Sequence, residues 1–168
     1  MAERPIVVYG DPVLREVSEP VDEINQEIKD LVSDLRDTLK KARGLGLSAV
    51  QIGVLKRVFI VDLSAVDVSE TVRVFINPEI VQTTGEVEYE EGCLSFPGIY
   101  QHVTRPSKVT VRATDIDGNE FEYTAEGLAA RAFLHEYDHL EGKLFIDYLS
   151  PISRTLLRGR LKKLSAAS

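Results

Sequence analysis

The sequence predicts an α+β fold in which mostly antiparallel strands pack around a central helix, with a further helix near each terminus. Three observations support this prediction. Apolar residues recur at helical spacing in three separate segments, β-like apolar runs fill the stretch between the first two segments, and no repeat or flexible linker divides the 168 residues. We therefore expect a single domain that covers residues 1–168.

The N-terminal helix is predicted to begin near Asn25 and to stop at Gly44, a residue type that commonly ends helices. Residues 1–23 look irregular, with a turn at residues 10–12. The helix is defined by apolar residues at helical spacing, namely Ile28, Leu31, Val32, Leu35 and Leu39.

Five runs of strand-forming residues follow. They cover residues 58–61, 72–76, 79–89, 108–113 and 120–124. Asp117-Gly118 lies between the last two runs and predicts a hairpin turn. Residues 127–140 then show helical periodicity, and a last helix is predicted to begin with Ser150 as N-cap and Pro151 as its first residue.

The charge is unevenly distributed along the chain. There are 20 basic and 27 acidic residues, but five basic and no acidic residues follow Pro151, so this tail carries +5 and the rest of the chain −12. An acidic body repels a polyphosphate such as DNA, whereas the basic tail can contact one. A solvated helix end is the simpler explanation of the tail, since cations favour the C-terminal turn of a helix.

Cysteine content and hydropathy indicate the compartment. One cysteine cannot form an intrachain disulfide, which favours a reducing, cytoplasmic environment. No stretch approaches the roughly 18 apolar residues of a membrane helix, and the first dozen residues lack the apolar core of a secretory signal. We expect no membrane association.

The sequence His135-Glu136-Tyr137-Asp138-His139 is an H-E-x-x-H motif within a predicted helix. Residues at positions i and i+4 share one helix face, so both imidazoles can bind one metal ion. Glu136, one position further round, can serve as a general base. Two histidines on a helix are otherwise ordinary surface or core residues.

A hydrolytic metal site needs a third protein ligand, and several candidates are missing. The position six residues after His139, which is a histidine in metzincins, is Phe145. Glu141 is the last glutamate, so no later helix carries the glutamate ligand of thermolysin-like enzymes. Asp147 and the only thiol, Cys93, remain as candidates, although a lone cysteine is often a small buried hydrophobe.

Three segments together resemble the motifs of the peptide deformylases, in the family's order and at its separations. They are residues 44–51 (GLGLSAVQ), 91–95 (EGCLS) and 135–140 (HEYDHL). The resemblance covers nearly the whole chain. Residues 96–100 and 133–142 look most like the type 1 branch of bacteria and plant organelles, so an organelle matrix or stroma is also possible.

The resemblance implies one divalent metal ion, natively Fe²⁺, held by Cys93, His135 and His139. Zn²⁺, Ni²⁺ or Co²⁺ would also suit a thiolate and two imidazoles. The implied reaction removes the N-formyl group from the N-terminal methionine of new polypeptides. Glu136 would carry the proton from water to the leaving amine.

Further roles are implied for residues near the metal. The Gln51 side-chain amide and the backbone N–H of Leu94 would stabilise the oxyanion. Gly44 and Gly46 would let the backbone approach the substrate closely. The methionine pocket is expected to include Tyr89, Leu128, Ala132 and Arg131, the last of these only through its aliphatic stem.

The chain departs from the family pattern at three positions: Leu134 replaces a usual glutamine before the first histidine, Ser48 occupies an alanine-type position, and Tyr100 replaces an arginine found in some bacterial members. The family also suggests a Glu91–Arg105 ion pair that steadies the Cys93 segment, with a weak exposed pair as the alternative. His102 is expected at the surface.

Two other functions compete with the deformylase hypothesis. One is an H-E-x-x-H metallopeptidase with Asp147 as third ligand. The other is a ribosome-associated metal-binding module without turnover, which would act through the basic last helix. Glu136 and Gln51 argue against that module, since metal retention alone needs neither. Contact with the ribosome through the last helix is expected for the deformylase as well.

Overall fold

A computed structural model describes residues 3–167 and contains three α-helices. They are α1, Gln26–Ala42; α2, Gly127–Leu140; and α3, Pro151–Ala167. Seven strands lie between α1 and α2, namely β1, Gly46–Ser48; β2, Val58–Asp62; β3, Val72–Thr84; β4, Val87–Gly92; β5, Tyr100–Arg105; β6, Lys108–Thr114; and β7, Glu120–Glu126. The predicted α+β fold is confirmed.

All strand pairs are antiparallel. Five strands form one sheet in the order β1-β2-β3-β6-β7, and β4 and β5 form a separate two-stranded sheet. Helix α2 packs on the five-stranded sheet through a core that includes Phe59, Phe75, Val111 and Phe133. Because 11 of its 14 residues are buried, α2 is a core helix, as the H-E-x-x-H prediction requires.

The predicted start of α1 near Asn25 and the predicted N-cap of α3 at Ser150 are confirmed. The Asn25 side chain accepts a hydrogen bond from the Ile28 N–H at 3.1 Å, and the Ser150 hydroxyl accepts one from the Ser153 N–H at 3.2 Å. The stop of α1 predicted at Gly44 is confirmed to within one residue. The helix ends at Ala42, because Arg43 takes the left-handed conformation, with φ of 57°.

The predicted strand over residues 79–89 is also wrong. Strand β3 runs on from residue 72 across Pro78, with register shifts on either side of Ile80, and it ends before Gly85. Gly85 has φ of +71°, which breaks the strand and turns the chain into β4. Strands β1 and β5 were not predicted.

Two further cores hold the elements around α2. Helix α1 packs Leu31 and Leu35 against the β1–β2 end of the large sheet. Helix α3 buries Leu157 and Leu161 in a cluster with Phe96, which lies in the segment after Cys93. None of the helices within residues 3–167 is long and apolar enough to cross a membrane.

Candidate metal centre and active site

The structure brings together the three predicted metal ligands. Donor atoms of Cys93, His135 and His139 all lie within 4.8 Å of one another. Cys93 Sγ lies 3.4 Å from His139 Nε2, and the two imidazole rings are 5.0 Å apart. The histidines come from α2, one turn apart, and Cys93 follows directly after β4. One thiolate and two imidazoles suit a divalent transition metal.

The ring nitrogens of both histidines fit this interpretation. His135 donates from Nδ1 to Glu91 Oε2 at 2.5 Å, which leaves its Nε2 free for a metal. His139 is fully buried, and its Nδ1 makes no hydrogen bond to any described residue. Burial lowers the pKa of His139 well below its usual range, which favours the neutral imidazole that binds metals.

Glu91 is held by two buried arginines. Arg105 donates to both carboxylate oxygens at 2.7 Å, and Arg131 donates to Oε1 at 2.8 Å. Burial alone would raise the pKa of Glu91, but hydrogen bonds from Arg105 and His135 outweigh it and hold the pKa below its usual range. The carboxylate therefore fixes the His135 ring, and the alternative of a weak exposed Glu91–Arg105 pair is wrong.

The hydrogen-bond network extends beyond Arg105 to residues that the sequence analysis did not identify. Asp138 Oδ2 accepts hydrogen bonds from Arg105 at 2.9 Å and from the Tyr148 hydroxyl at 2.8 Å. The Arg105 guanidinium lies 4.9 Å from the centre of the Tyr148 ring. Burial and the Asp138 charge raise the pKa of Tyr148 to about 12, so the phenol remains a donor.

Glu136 lies beside the ligand group Cys93, His135 and His139 with one oxygen unpaired. The side chain is buried, and Oε1 makes no hydrogen bond to any described residue. Burial raises the pKa of Glu136 to about 7. A Cβ atom on Gly46 would lie 2.9 Å from Glu136 Oε2, so glycine at this position makes room for the carboxylate. The sequence had suggested instead that Gly46 makes room for the substrate.

Gln51 is buried, and its amide orientation is fixed by hydrogen bonds. Its Oε1 accepts from the Ser48 backbone N–H at 3.0 Å and from the Ser48 hydroxyl at 3.1 Å. Its Nε2 donates to Ser95 Oγ at 3.1 Å and lies 3.7 Å from Cys93 Sγ. Ser48, noted only as a departure from the family pattern, therefore turns the amide nitrogen of Gln51 toward the ligand group.

A cavity of about 390 Å³ opens beside the ligand group. Gly44, Gly46 and Gln51 lie on one wall, and Leu128, Arg131 and Ala132 of α2 on another. Cys93, Leu94, His135 and Glu136 also face it.

Tyr89, predicted in the pocket, is 59% exposed and does not line the cavity. Tyr100 lines it instead, packed so closely over Gly92 that a Cβ there would lie 2.6 Å from its ring. The Arg131 guanidinium contacts β4 at Val87 and Glu91, the positions two residues before and two residues after Tyr89. Arg131 therefore contacts β4 through its guanidinium, whereas only its aliphatic stem was predicted to line the pocket.

Comparison with known proteins is decisive at this point. A family model described as polypeptide deformylase matches residues 3–155. A peptide deformylase of Acidobacterium capsulatum is 48% identical and covers 98% of this chain and 96% of its own length, and one of Pseudomonas aeruginosa is 48% identical and covers 94% of each. The crystal structure of a peptide deformylase from Legionella pneumophila has a TM-score of 0.91 at 46% identity, covering 99% of this chain and 97% of that chain. The chain belongs to the peptide deformylase family.

Peptide deformylases are metalloenzymes that remove the N-formyl group from nascent chains, and Cys93, His135 and His139 form a possible metal site of this deformylase. Asp147, the ligand in the competing metallopeptidase hypothesis, is not part of this group. Its Oδ2 accepts hydrogen bonds from Arg15 at 2.7 Å and from the Leu144 N–H at 3.0 Å.

Two other residues singled out in the sequence lie away from the ligand group. The His102 side chain is 64% exposed and lies 3.6 Å from a Glu88 oxygen, as expected for a surface residue. Leu134 is buried in the core between α2 and the large sheet, so its position favours the apolar side chain over the glutamine usual in the family.

Proposed function

We propose that this deformylase acts through a metal held by Cys93, His135 and His139, with Glu136 and Gln51 as its main catalytic side chains. The observation that supports the proposal is that Gln51, Cys93, His135 and Glu136 line one cavity, with the third ligand, His139, grouped with Cys93 and His135. An interaction module without turnover would need neither an unpaired buried carboxylate nor an oriented amide beside the metal ligands.

Fe²⁺ is the metal we propose for the native enzyme, with Zn²⁺, Ni²⁺ or Co²⁺ as substitutes that the same ligands accept. A bound metal supplies Lewis acidity toward the formyl carbonyl and toward water. Cys93 contributes the thiolate and His135 and His139 contribute Nε2. Because Arg105 and Arg131 hold Glu91 on the His135 ring, this ligand is oriented before the metal binds.

Glu136 is proposed to accept a proton from the attacking water through Oε1, which has no other described partner. It then delivers this proton to the amine of the methionine as the C–N bond of the formamide breaks, and formate is the second product. Gly46 makes this possible, because a larger residue would displace the carboxylate.

Gln51 and Leu94 are proposed to stabilise the oxyanion. The Gln51 amide nitrogen faces the ligand group because Ser48 holds the amide oxygen on the other side. The backbone N–H of Leu94 makes no hydrogen bond to another described residue and follows directly after the Cys93 ligand. Two fixed donors lower the barrier most when they are oriented before reaction.

The methionine side chain is proposed to lie against Leu128, Arg131 and Ala132 of α2. Gly44 leaves room for the Leu94 side chain at the cavity wall, since a Cβ there would lie 2.7 Å from it. Tyr89 is not proposed again as a pocket residue because of its exposure.

The test of the proposed function compares formyl-Met and acetyl-Met peptides under anaerobic conditions. We expect formate release from the first and no acetate release from the second, because the extra methyl must fit beside Glu136 and Gln51 in a closely packed site. Cleavage of casein by the metal-loaded protein without formate release from formyl-Met peptide would contradict the proposal and favour a peptidase.

We also propose that the enzyme acts in the cytoplasm on ribosome-bound chains, with α3 as the ribosome contact. Arg154, Arg158 and Lys162 are exposed along α3 and line one shallow groove. Three cations at this spacing suit rRNA phosphates. The single, ligating cysteine fits a reducing compartment.

Replacing Arg154, Arg158 and Lys162 together with glutamate is expected to abolish ribosome co-sedimentation at low salt and leave deformylation of short peptides intact. Binding of the parent protein should fall steeply with salt. The matched control reverses Lys29, Arg36 and Lys40, three exposed cations of α1. Truncating α3 would be a poor test, because Leu157 and Leu161 are buried. Equal co-sedimentation of both triple variants would refute the contact.

A further inference from the structure

Arg131 occupies an unusual place for a cation. It lies on α2 one turn before the metal ligand His135, and its side chain is only 6% exposed. Its Nη1 donates to Glu91 Oε1 at 2.8 Å, and its Nη2 donates to the Val87 carbonyl oxygen at 2.8 Å. The side chain therefore bridges the cavity from α2 to β4 and is fixed at both contacts.

The burial of the lining residues shows which end of the cavity Arg131 occupies. Arg43, the other cation that lines the cavity, is exposed, and Leu128 is 48% exposed, so both lie toward the mouth. Arg131 and Ala132 are buried, as are His135 and Glu136, and lie deeper in the cavity than Arg43 and Leu128. A side chain that enters past Leu128 therefore approaches Arg131, one turn further along α2.

We propose that Arg131 determines substrate specificity by closing the inner end of this pocket and so limiting the length of the first side chain of the formyl-peptide. This inference rests on the proposed function, in which the cavity holds the formyl-methionyl end. The planar guanidinium is weakly hydrated and can pack against an unbranched apolar side chain. Its two hydrogen bonds prevent the guanidinium from moving aside, whereas a flexible apolar side chain could move to admit a longer substrate.

The role in specificity is separable from the metal site. Arg105 holds both oxygens of Glu91 without help from Arg131, so His135 keeps its carboxylate partner when Arg131 is replaced. A ratio of rates between two substrates on one enzyme also cancels any change in metal content.

The experiment measures kcat/KM for formyl peptides whose first residue is norleucine, 2-aminoheptanoate or 2-aminooctanoate. Norleucine matches methionine in length, and the other two add one and two methylenes. In the parent enzyme we expect a fall of about tenfold or more from norleucine to 2-aminooctanoate, the effect of a methylene that finds no space. In Arg131→Ala the kcat/KM values of the norleucyl and 2-aminooctanoyl peptides should lie within about threefold of each other.

Two further variants make the comparison specific. Arg131→Lys keeps a long cationic stem that can reach Glu91, and it should restore the length limit. Leu128→Ala shortens a residue near the mouth and should change kcat/KM for all three substrates alike. If Leu128→Ala removes the length limit as Arg131→Ala does, the limit is not set by Arg131 and the proposal is wrong.

A binding measurement gives a readout without turnover. Calorimetric titration of the same peptides into the Glu136→Gln protein should show the length limit in Kd when Arg131 is present and should lose it when Arg131→Ala is added. A parent enzyme that cleaves the 2-aminooctanoyl and norleucyl peptides equally well would overturn the Arg131 proposal without any variant. No formate release from any of the peptides by metal-replete parent protein would instead overturn the proposed function.

Discussion

Replacing Glu136 with glutamine is expected to leave the metal content unchanged and to lower kcat by about 10²–10⁴-fold, the usual contribution of a general acid–base group. The neutral amide keeps the size of the carboxylate and its fit against Gly46, but it cannot accept the proton of the attacking water. Steady-state formate release and metal analysis of the same preparation check both halves of this expectation.

The matched control is Glu126→Gln, the same chemical change at the N-terminus of α2. Glu126 is exposed, lies 3.5 Å from Lys108, and makes no side-chain capping bond to the helix. This variant should keep the kcat of the parent enzyme. Unchanged kcat in metal-replete Glu136→Gln would remove Glu136 from the proposed mechanism.

The parts of the molecule that the sequence predicted correctly depend on short-range patterns. The cap residues Asn25 and Ser150 act on N–H groups three residues away, and the i, i+4 spacing of His135 and His139 places both on one face of α2. The expectation of Cys93 beside them came from the resemblance to a family, because the elimination of other ligands had left Asp147 open as well.

The parts that the sequence analysis missed depend on distant contacts. Arg131 meets its acceptor at Val87 across 44 residues of chain, and Gln51 meets Ser95 across an equal separation. Neither contact has a periodic signature, since each exists only once segments far apart in the chain have been brought together. The pocket position expected for Tyr89 rested on strand alternation alone, and the structure leaves its side chain exposed and outside the cavity lining.

The fold errors have a related cause. Strand β1 has only three residues, two of them Gly46 and Ser48, and it forms by pairing with β2. Strand β5 contains His102 and Gln101 among its six residues and forms by pairing with β4 in full register. Sheet pairing thus overrides weak local strand preference at both places.

Replacing Cys93 with serine is expected to abolish metal binding and activity together. A partner that only orients a metal ligand contributes about 10–100-fold to metal affinity, so removing the ligand itself should cost more than this. Serine keeps the size of the side chain, and the bonds of Gln51 to Ser48 and Ser95 do not depend on the thiol. The variant should therefore fold, which circular dichroism and thermal unfolding check.

The same thiol is expected to make the iron enzyme sensitive to air. Cys93 is the only cysteine, so one thiol per chain should react with a thiol reagent in metal-free protein and be protected in the metal-loaded form. Peroxide formed as Fe²⁺ reduces O₂ oxidises a neighbouring thiolate to the sulfenic acid and then to the sulfinic acid, which is not reversed without dedicated repair. Loss of activity should thus track the gain of oxygen at Cys93 in peptide mass spectra, and catalase should slow both, while a nickel or zinc form should be stable.

Decay of the aerobic iron enzyme with Cys93 unmodified would assign the decay to the iron. Full metal content and activity in Cys93→Ser would show that the thiol is not a ligand.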